Sequence, residues 1–430
     1  MHPLFRRIGA INRLFLLVFG LLLAYNLKLA AANEYLGYQV FVFDLSYVLV
    51  VFVAVILLGV FMPVGIRVPS DFFTFLYGLF VIFPYTILHL IRGPVTPLEF
   101  IRCFLILAVP FFVVRVSASI LPKVRFPGFF SYNFVLLLLI PLSITGVFLA
   151  LANPPGSAGF DLGTSYVRRL EGREIFSVGT PLAYLNSAIV NGFAPFFAFV
   201  AGWQRRYGLL FFALLCWLSF FYLLGVKAPL LFIGVAFIIG TRASVGRLYS
   251  LVNIIYICIF LAFFVFLVEY LFFDYSYVAD YFIRRAMSVP AWLISAYFEF
   301  MSSTDSTLWS PLTGIASNEP VTMVVGQEFL GLPGLNANTN AFVYQLASGG
   351  FLMYVLTVAL VAFVFAMLDS VYSSNRNPAL IYIGFSYAIL LTEQAATTAL
   401  VSSGLGVLIM LLIFSRNSGS PNDDLRLNKV

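Results

Sequence analysis

Residues 249–272 read YSLVNIIYICIFLAFFVFLVEYLF, and Glu269 is the one charged residue in this run. About 20 apolar residues in a row have the length of a helix that crosses a bilayer. Similar runs recur along the chain, which has 430 residues, 62% of them hydrophobic and only 10% charged. A surface that faces water needs far more charge. The composition therefore predicts an all-α, polytopic integral membrane protein, since a β-barrel would show short alternating segments instead of solid apolar runs.

The apolar runs predict a bundle of about twelve membrane-spanning helices that forms one domain over residues 1–430. Basic residues concentrate in every second connection, which by the positive-inside rule places these connections and both termini in the cytoplasm. The predicted spans are 14–31, 43–61, 72–90, 98–114, 130–151, 181–201, 209–224, 228–240, 249–272, 342–368, 379–396 and 400–414.

The N-terminal run also resembles a signal peptide, because Ala30–Ala31–Ala32 follow it like a cleavage site. We expect an uncleaved first helix instead, since the run is long for a signal core and many spans follow.

Residues 209–240 contain one charge, Lys227. A single helix of this length would be about 48 Å long, well beyond a ~30 Å hydrocarbon core. Gly225 and Pro229 flank the lysine and favour a break, so two short helices should meet at Lys227. The run 379–414 has the same shape, with polar residues from Glu393 onward near its middle.

Two segments between spans are longer than simple connections and carry candidate functional residues, and we expect both on the outer side of the membrane. They are 152–180 and 273–341. The chain has only two histidines, no cluster with metal-ligand spacing and no phosphate-binding loop. We therefore expect no metal and no cofactor. The net charge of +6 follows from basic residues gathered on one side of the membrane and does not indicate nucleic acid.

A set of cations is predicted on the outer side, where the positive-inside rule disfavours them. Arginine forks and lysine suit phosphate groups, such as the diphosphate of a lipid-linked sugar carrier. The alternative is that they reach lipid headgroups or pair with nearby acids. The set comprises Arg92, Arg102, Arg168, Arg169, Arg173, Lys227, Arg284 and Arg285.

The second outer segment has two further features. Residues 281–300 combine aromatic side chains, among them Tyr297, with carboxylates, a pattern that suits an interfacial helix and also carbohydrate binding; an ordinary aromatic belt is the alternative. Asn336, Asn338 and Asn340 precede a small-residue helix start, where amides suit sugar hydroxyls or phosphate oxygens. A plain helix cap explains them as well.

Four local patterns, in this order along the chain, resemble the Wzy-type O-antigen and capsule polymerases, whose superfamily includes the O-antigen ligases. Residues 164–171, TSYVRRLE, are similar to a Tyr-x-x-Arg element that begins at Tyr166, and Arg168 and Gly179 fit an arginine–glycine spacing of some polymerases. Gly225-Val-Lys227 resembles a Gly-x-Lys hairpin tip. The other two patterns are 283–300, which opens IRRAMSVP, and 338–350, NTNAFVYQLASGG.

The resemblance implies a GT-C-like, metal-independent glycosyltransferase of the bacterial inner membrane. It would transfer a growing glycan from polyprenyl diphosphate onto a new lipid-linked oligosaccharide repeat. Membrane lipids would surround it, and a chain-length regulator is a possible protein partner. Arg284, Arg285, Glu299 and Asp280 are the expected catalytic residues, with either Glu299 or Asp280 as the base. The expected substrate-binding residues are Arg102, Tyr166, Arg168, Arg169, Arg173, Lys227, Tyr297, Asn336, Asn338 and Asn340.

Two positions depart from the family pattern. A second arginine–glycine spacing is absent, since the one that starts at Arg285 would end at Ala296. Asn338 stands where the ligases have a histidine, and an asparagine cannot act as a general base. The alternatives are the ligase of the same superfamily and a flippase or transporter of lipid-linked oligosaccharide. Charges gathered at the outer ends of the spans favour the enzyme over the transporter.

Overall fold

The structure is a computed structural model that describes residues 3–40, 43–118, 120, 122, 124, 126–161, 163–176, 179–303, 320–332 and 334–415. Regular structure in these ranges is helical, apart from one isolated β-bridge between Phe130 and Ser415. The helices, numbered in chain order, are α1 3–32, α2 Leu45–Phe61, α3 Pro69–Leu88, α4 Pro97–Ser117, α5 Tyr132–Leu151, α6 Ser165–Ile175, α7 Pro181–Gln204, α8 Tyr207–Leu224, α9 Ala228–Ser244, α10 Leu251–Phe273, α11 279–303, α12 321–329, α13 Ala341–Asn375, α14 Pro378–Leu390, α15 Ala396–Val401 and α16 Leu405–Ile413.

Eight helices in the described ranges are long and apolar enough to cross a membrane: α1, α3, α4, α5, α7, α8, α10 and α13. Three shorter apolar helices, α2, α9 and α14, accompany them. The prediction of an all-helical membrane protein is therefore confirmed. The finer count of twelve spans and the GT-C-like architecture stay predictions.

The two last predicted spans, 379–396 and 400–414, need correction. Helix α14 ends at Leu390, and α16 has only 9 residues. The polar sequence from Thr392 to Gln394 leaves the helix, and Gly404 has a φ of +71°, outside the right-handed helical region. The run 379–414 is strongly apolar on average, so its average hydropathy did not indicate these two local breaks in the helix.

The predicted break between 209 and 240 is confirmed. Helix α8 ends at Leu224, Gly225 adopts a φ of 63°, and Lys227 is the N-cap residue of α9. Glycine reaches this left-handed conformation without the steric cost that a Cβ brings. The turn brings α8 and α9 together as an antiparallel hairpin whose tip is Gly225–Lys227.

Helices α3 and α7 form the centre of the bundle. The apolar window of α3 is 94% buried and that of α7 is 78% buried, whereas those of α4, α5 and α8 are about one-third buried. Close approach depends on glycine: a Cβ on Gly240 of α9 would lie 2.1 Å from the carbonyl oxygen of Phe199 in α7. Small residues at such crossings let membrane helices pack backbone against backbone.

One end of the bundle is defined by the pair Asp71–Arg115, and we call it the Asp71 end. The Arg115 Nη1 donates to the Asp71 Oδ1 over 2.7 Å, which joins the start of α3 to the end of α4. Nearby, the Asp369 carboxylate of α13 accepts from the backbone N–H of Ser70 over 2.9 Å. The start of α3, the end of α4 and the last turns of α13 therefore lie at this end, while the alternation of all the connections stays a prediction.

The opposite end is defined by the ion pair between Arg92 and Glu299, 2.7 Å apart, and we call it the Arg92 end. Contacts among described residues bring together at this end the connections α1–α2, α3–α4, α5–α7, α8–α9, α10–α13 and α14–α15. The described residues of the segments 152–180 and 273–341 thus lie at the same end of the bundle. Placement of this end outside the cytoplasm stays a prediction.

Candidate functional site

Arg284 and Arg285 lie on α11, whose first part, Ala279–Ser288, is wound as a π-helix. The Arg284 Nη1 donates to the Asn33 Oδ1 over 2.7 Å, and its Nε donates to the Asp280 carbonyl over 3.1 Å. Asn33 is itself buried and donates to the Leu29 carbonyl over 2.8 Å. The connection after α1 therefore holds Arg284, while Arg285 is exposed.

The helical prediction for 281–300 is confirmed, but the position of its apolar face is not. Trp292, Ile294, Tyr297 and Phe300 are buried against other parts of the protein, so this face does not lie on headgroups. The Trp292 Nε1 donates to the Leu36 carbonyl over 3.0 Å. These contacts make α11 a packed element of the bundle.

Tyr297 was predicted to bind substrate. Its side chain is 0% exposed, and its hydroxyl donates to the Ala337 carbonyl over 2.9 Å. Ala337 lies within the asparagine cluster. Tyr297 therefore positions that cluster.

The three asparagines differ in their surroundings. Asn340 is the N-cap of α13, since its Oδ1 accepts from the backbone N–H of Phe342 and of Val343, so the capping interpretation is confirmed for this residue. Asn338 is exposed. The Asn336 Oδ1, the Thr339 Oγ1 and the Asn340 Nδ2 are buried and have no hydrogen-bond partner among the described residues. Unpaired buried polar atoms are rare in proteins, and three within five residues indicate a place for a ligand or water.

Arg168 lies on α6 and is 0% exposed. Its Nη1 donates to the Thr164 Oγ1 over 2.8 Å, and its Nη2 donates to the Asp161 carbonyl over 2.7 Å. The guanidinium also lies 5.6 Å from the centroid of the Phe221 ring, a cation–π distance. Arg168 thus stabilises its own loop against α8.

Helix α6 rests on the α8–α9 hairpin tip. A Cβ on Gly225 would lie 2.6 Å from the Ser165 carbonyl oxygen, so only glycine fits there. The exposed Tyr166 reaches the other way, with its hydroxyl 3.7 Å from the position of a Cβ on Gly334. The predicted first loop, the Lys227 tip and the segment before the asparagines are therefore neighbours.

The acids at the Arg92 end are mostly engaged by hydrogen-bond donors other than cations. The Glu99 carboxylate accepts from the backbone N–H of Thr96 over 2.9 Å, and Glu171 accepts from that of Ser157 over 2.9 Å. Hydrogen bonds to charged acceptors of this kind hold a carboxylate ionised. Accordingly, the pKa of Glu171 is lowered by the Ser157 side chain and backbone.

The two acids that were predicted as bases have partners. Glu299 forms its ion pair with Arg92, whose side chain is 18% exposed. The Tyr275 hydroxyl is hydrogen-bonded to Asp280, and this raises the pKa of Tyr275. Both acids stay candidates for the base, but each already has a partner in the folded protein: Arg92 for Glu299 and the Tyr275 hydroxyl for Asp280.

The remaining cations differ in their surroundings. Two ion pairs are described in the covered ranges, Arg92–Glu299 and Arg115–Asp71. Arg102, Lys227 and Arg285 are exposed and belong to neither of them. Arg169 is exposed on α6, and the side chain of Arg173 lies outside what the structure describes.

Sequence reasoning missed Asn33 and Trp292 as fixed points of the Arg92 end. No local signal marks Asn33, because its partner Arg284 lies 251 positions away. In the described part of the chain, no group of three or more His, Cys, Asp or Glu residues is placed to hold a metal ion. No protein-family model, no curated protein and no solved structure matches this chain.

Proposed function

We propose that this protein is a polysaccharide polymerase. It transfers a growing glycan from polyprenyl diphosphate onto a new lipid-linked oligosaccharide repeat at the Arg92 end. In this reaction the bond between the sugar C1 and the diphosphate oxygen breaks, and the diphosphate leaves with the electron pair. A hydroxyl oxygen of the acceptor sugar forms the new bond to C1, and its proton passes to the carboxylate of Glu299 or of Asp280.

The observation that carries the proposal is a group of exposed cations, none of them in a described ion pair, at one end of an apolar bundle. Arg102, Lys227 and Arg285 are exposed there without a described ion pair, while Glu99 and Glu171 are engaged by hydroxyl and backbone donors. Preorganised cations stabilise negative charge as it develops on a leaving group. A diphosphate at the membrane surface fits this arrangement.

The surroundings of the cations also suit a glycan. The buried Asn336 Oδ1 and Asn340 Nδ2, which have no hydrogen-bond partner among the described residues, are one acceptor and one donor of the kinds that pair with sugar hydroxyls. Tyr166 offers an exposed ring beside Gly334. These groups lie at the same end of the bundle as the cations.

The test uses purified full-length protein in liposomes with a lipid-diphosphate-linked repeat unit, and chain length is read by gel and mass spectrometry. Each charge-assisted hydrogen bond to diphosphate contributes about 1.5–3 kcal/mol. Arg285→Ala and Lys227→Ala should therefore each lower kcat/KM about 10- to 150-fold. Arg247→Ala is the matched control, because Arg247 is an exposed arginine at the Asp71 end.

Polymer formation by both variants at the wild-type rate would show that these cations do not hold the diphosphate. Transfer of preformed glycan to a lipid A core, without chain growth, would identify a ligase. Movement of the intact repeat across the liposome membrane, without any new glycosidic bond, would identify a flippase.

A further inference from the structure

A cavity of about 310 Å³ lies at the Arg92 end, between the start of α2 and the connection from α3 to α4. Its lining includes the polar side chains of Gln39, Asp44, Ser46 and His89. No residue of this cavity belongs to the predicted site. The volume is at the lower limit of ordinary ligand sites, which measure ~300–1,000 Å³.

His89 follows directly on α3 and is 5% exposed. Its Nδ1 lies 2.8 Å from the Thr86 carbonyl oxygen, which can only accept, so Nδ1 carries a proton. Burial lowers the pKa of His89 to about 4, so the imidazole is neutral near pH 7. The Nε2 is then an acceptor, and it has no partner among the described residues.

Aromatic rings fix the orientation of this imidazole. The Phe100 ring lies 4.5 Å from it, centroid to centroid, and the Tyr47 ring stacks on it at 5.3 Å. Both rings also line the cavity. A ligand therefore meets a rigid wall that carries one acceptor nitrogen beside apolar ring surface.

Asp44 supplies the second acceptor. Its carboxylate caps α2 by accepting from the Tyr47 backbone N–H over 2.7 Å and from the Ser46 hydroxyl over 2.9 Å. The backbone hydrogen bond and the hydroxyl lower the pKa of Asp44, so the group stays ionised. Each carboxylate has about four lone-pair sites, and these bonds leave some of them open.

Gln39 closes the polar side of the cavity. Its backbone N–H donates to the Ile91 carbonyl over 2.9 Å, which fixes the residue beside the α3–α4 connection. Its side chain is exposed and offers two donors and one acceptor. Together the cavity presents several acceptors and one amide around a partly aromatic wall.

We propose that this cavity binds a single neutral sugar residue. Sugar hydroxyls donate to Asp44 and to the His89 Nε2, the Gln39 amide pairs with a further hydroxyl, and the C–H face of the ring rests on the aromatic wall. An anionic ligand is disfavoured by the Asp44 charge. The assignment of this residue to the glycan substrate rests on the proposed function, and Arg92, adjacent to the lining Gly93, connects the cavity to α11 through Glu299.

The test measures saturation-transfer NMR on the full-length protein in detergent, with methyl glycosides as probes. The panel comprises a hexose, an N-acetylhexosamine, a 6-deoxyhexose and a hexuronate, and ethanolamine serves as a small cation. At least one neutral glycoside should bind. Asp44→Ser should weaken that binding at least tenfold while keeping a capping oxygen, and Val95→Trp should abolish it by filling the cavity.

Asp161→Ser is the matched control, since Asp161 caps a turn in the same way outside the cavity. Absence of binding by every neutral glycoside, whether or not the hexuronate or ethanolamine binds, or equal binding by Val95→Trp would each overturn the proposal. The liposome assay separates the two levels. Glycoside binding without polymerisation contradicts the proposed function alone, and normal polymerisation by a folded Val95→Trp protein contradicts only the assignment of the bound sugar to the glycan substrate.

Discussion

Removal of one hydroxyl from Tyr297 should loosen the asparagine cluster without disturbing the packing of α11. In Tyr297→Phe the ring stays in place, so no cavity opens around it. The change deletes the hydrogen bond of 2.9 Å to the Ala337 carbonyl. Since Ala337 is 1% exposed, its carbonyl would be left buried and unpaired.

The expected cost follows from that orphaned carbonyl. A buried acceptor without its partner costs about 1–3 kcal/mol. Local opening of the segment should become easier by this amount, which corresponds to an increase of about 5- to 150-fold in the opening equilibrium. Global stability should change by less than this, because the segment opens more readily than the bundle unfolds.

Amide hydrogen exchange reads this opening directly. The Ala337 N–H bonds to the Thr322 carbonyl and the Ala341 N–H to the Leu391 carbonyl, both over 2.9 Å, so both amides are protected reporters. Tyr281→Phe is the matched control, because Tyr281 lies on the same helix and is 71% exposed. Exchange at the two reporters that changes less than twofold in Tyr297→Phe would refute the positioning role.

Two further predictions concern the first loop. Gly225→Ala should displace α6, because the new Cβ would lie 2.6 Å from the Ser165 carbonyl oxygen. Gly246→Ala is the control, since Gly246 shares the positive φ but its Cβ would meet open space. Thermal stability should fall further in Gly225→Ala than in Gly246→Ala, and equal losses would contradict the clash. The pKa of Glu171 is lowered in the folded state, so the hydrogen bonds that its carboxylate accepts from Ser157 stabilise the folded loop above the unfolded pKa of about 4.3. This stabilisation is lost as the pH falls through the lower pKa of the folded state. Exchange at the Ser157 N–H, corrected for its intrinsic rate, should therefore rise on acidification in the wild type and stay constant in Glu171→Gln.

The local residues of the candidate site were predictable where their partners are close in sequence. Asn340 as a cap and the break at Gly225–Lys227 depend on neighbours within a few positions. Arg168 shows the limit of this reasoning. Its charge suggested a ligand contact, but its fork reaches Thr164 and the Asp161 carbonyl, and the Phe221 ring covers it from a helix that is distant in sequence.

The acids and cations of the Arg92 end show the same limit. One alternative for the outer cations was that they pair with nearby acids, and Glu99 and Glu171 are two acids close to them in sequence. In the folded chain both acids instead accept from hydroxyls and backbone N–H groups. Which donor bonds to a carboxylate depends on distances of a few ångströms in the folded protein, and these distances cannot be read from the composition.

The sequence by itself determined that this chain is a helical membrane protein and approximately where its helices run. The reason is that hydrocarbon demands about 20 apolar residues per crossing and internal hydrogen bonds for every backbone group. Only the tertiary structure decided that Asn33 holds Arg284, that Tyr297 holds Ala337, and that a polar cavity forms around His89. Those contacts join residues on different helices, and an apolar run predicts that a helix is buried without predicting which neighbour buries it.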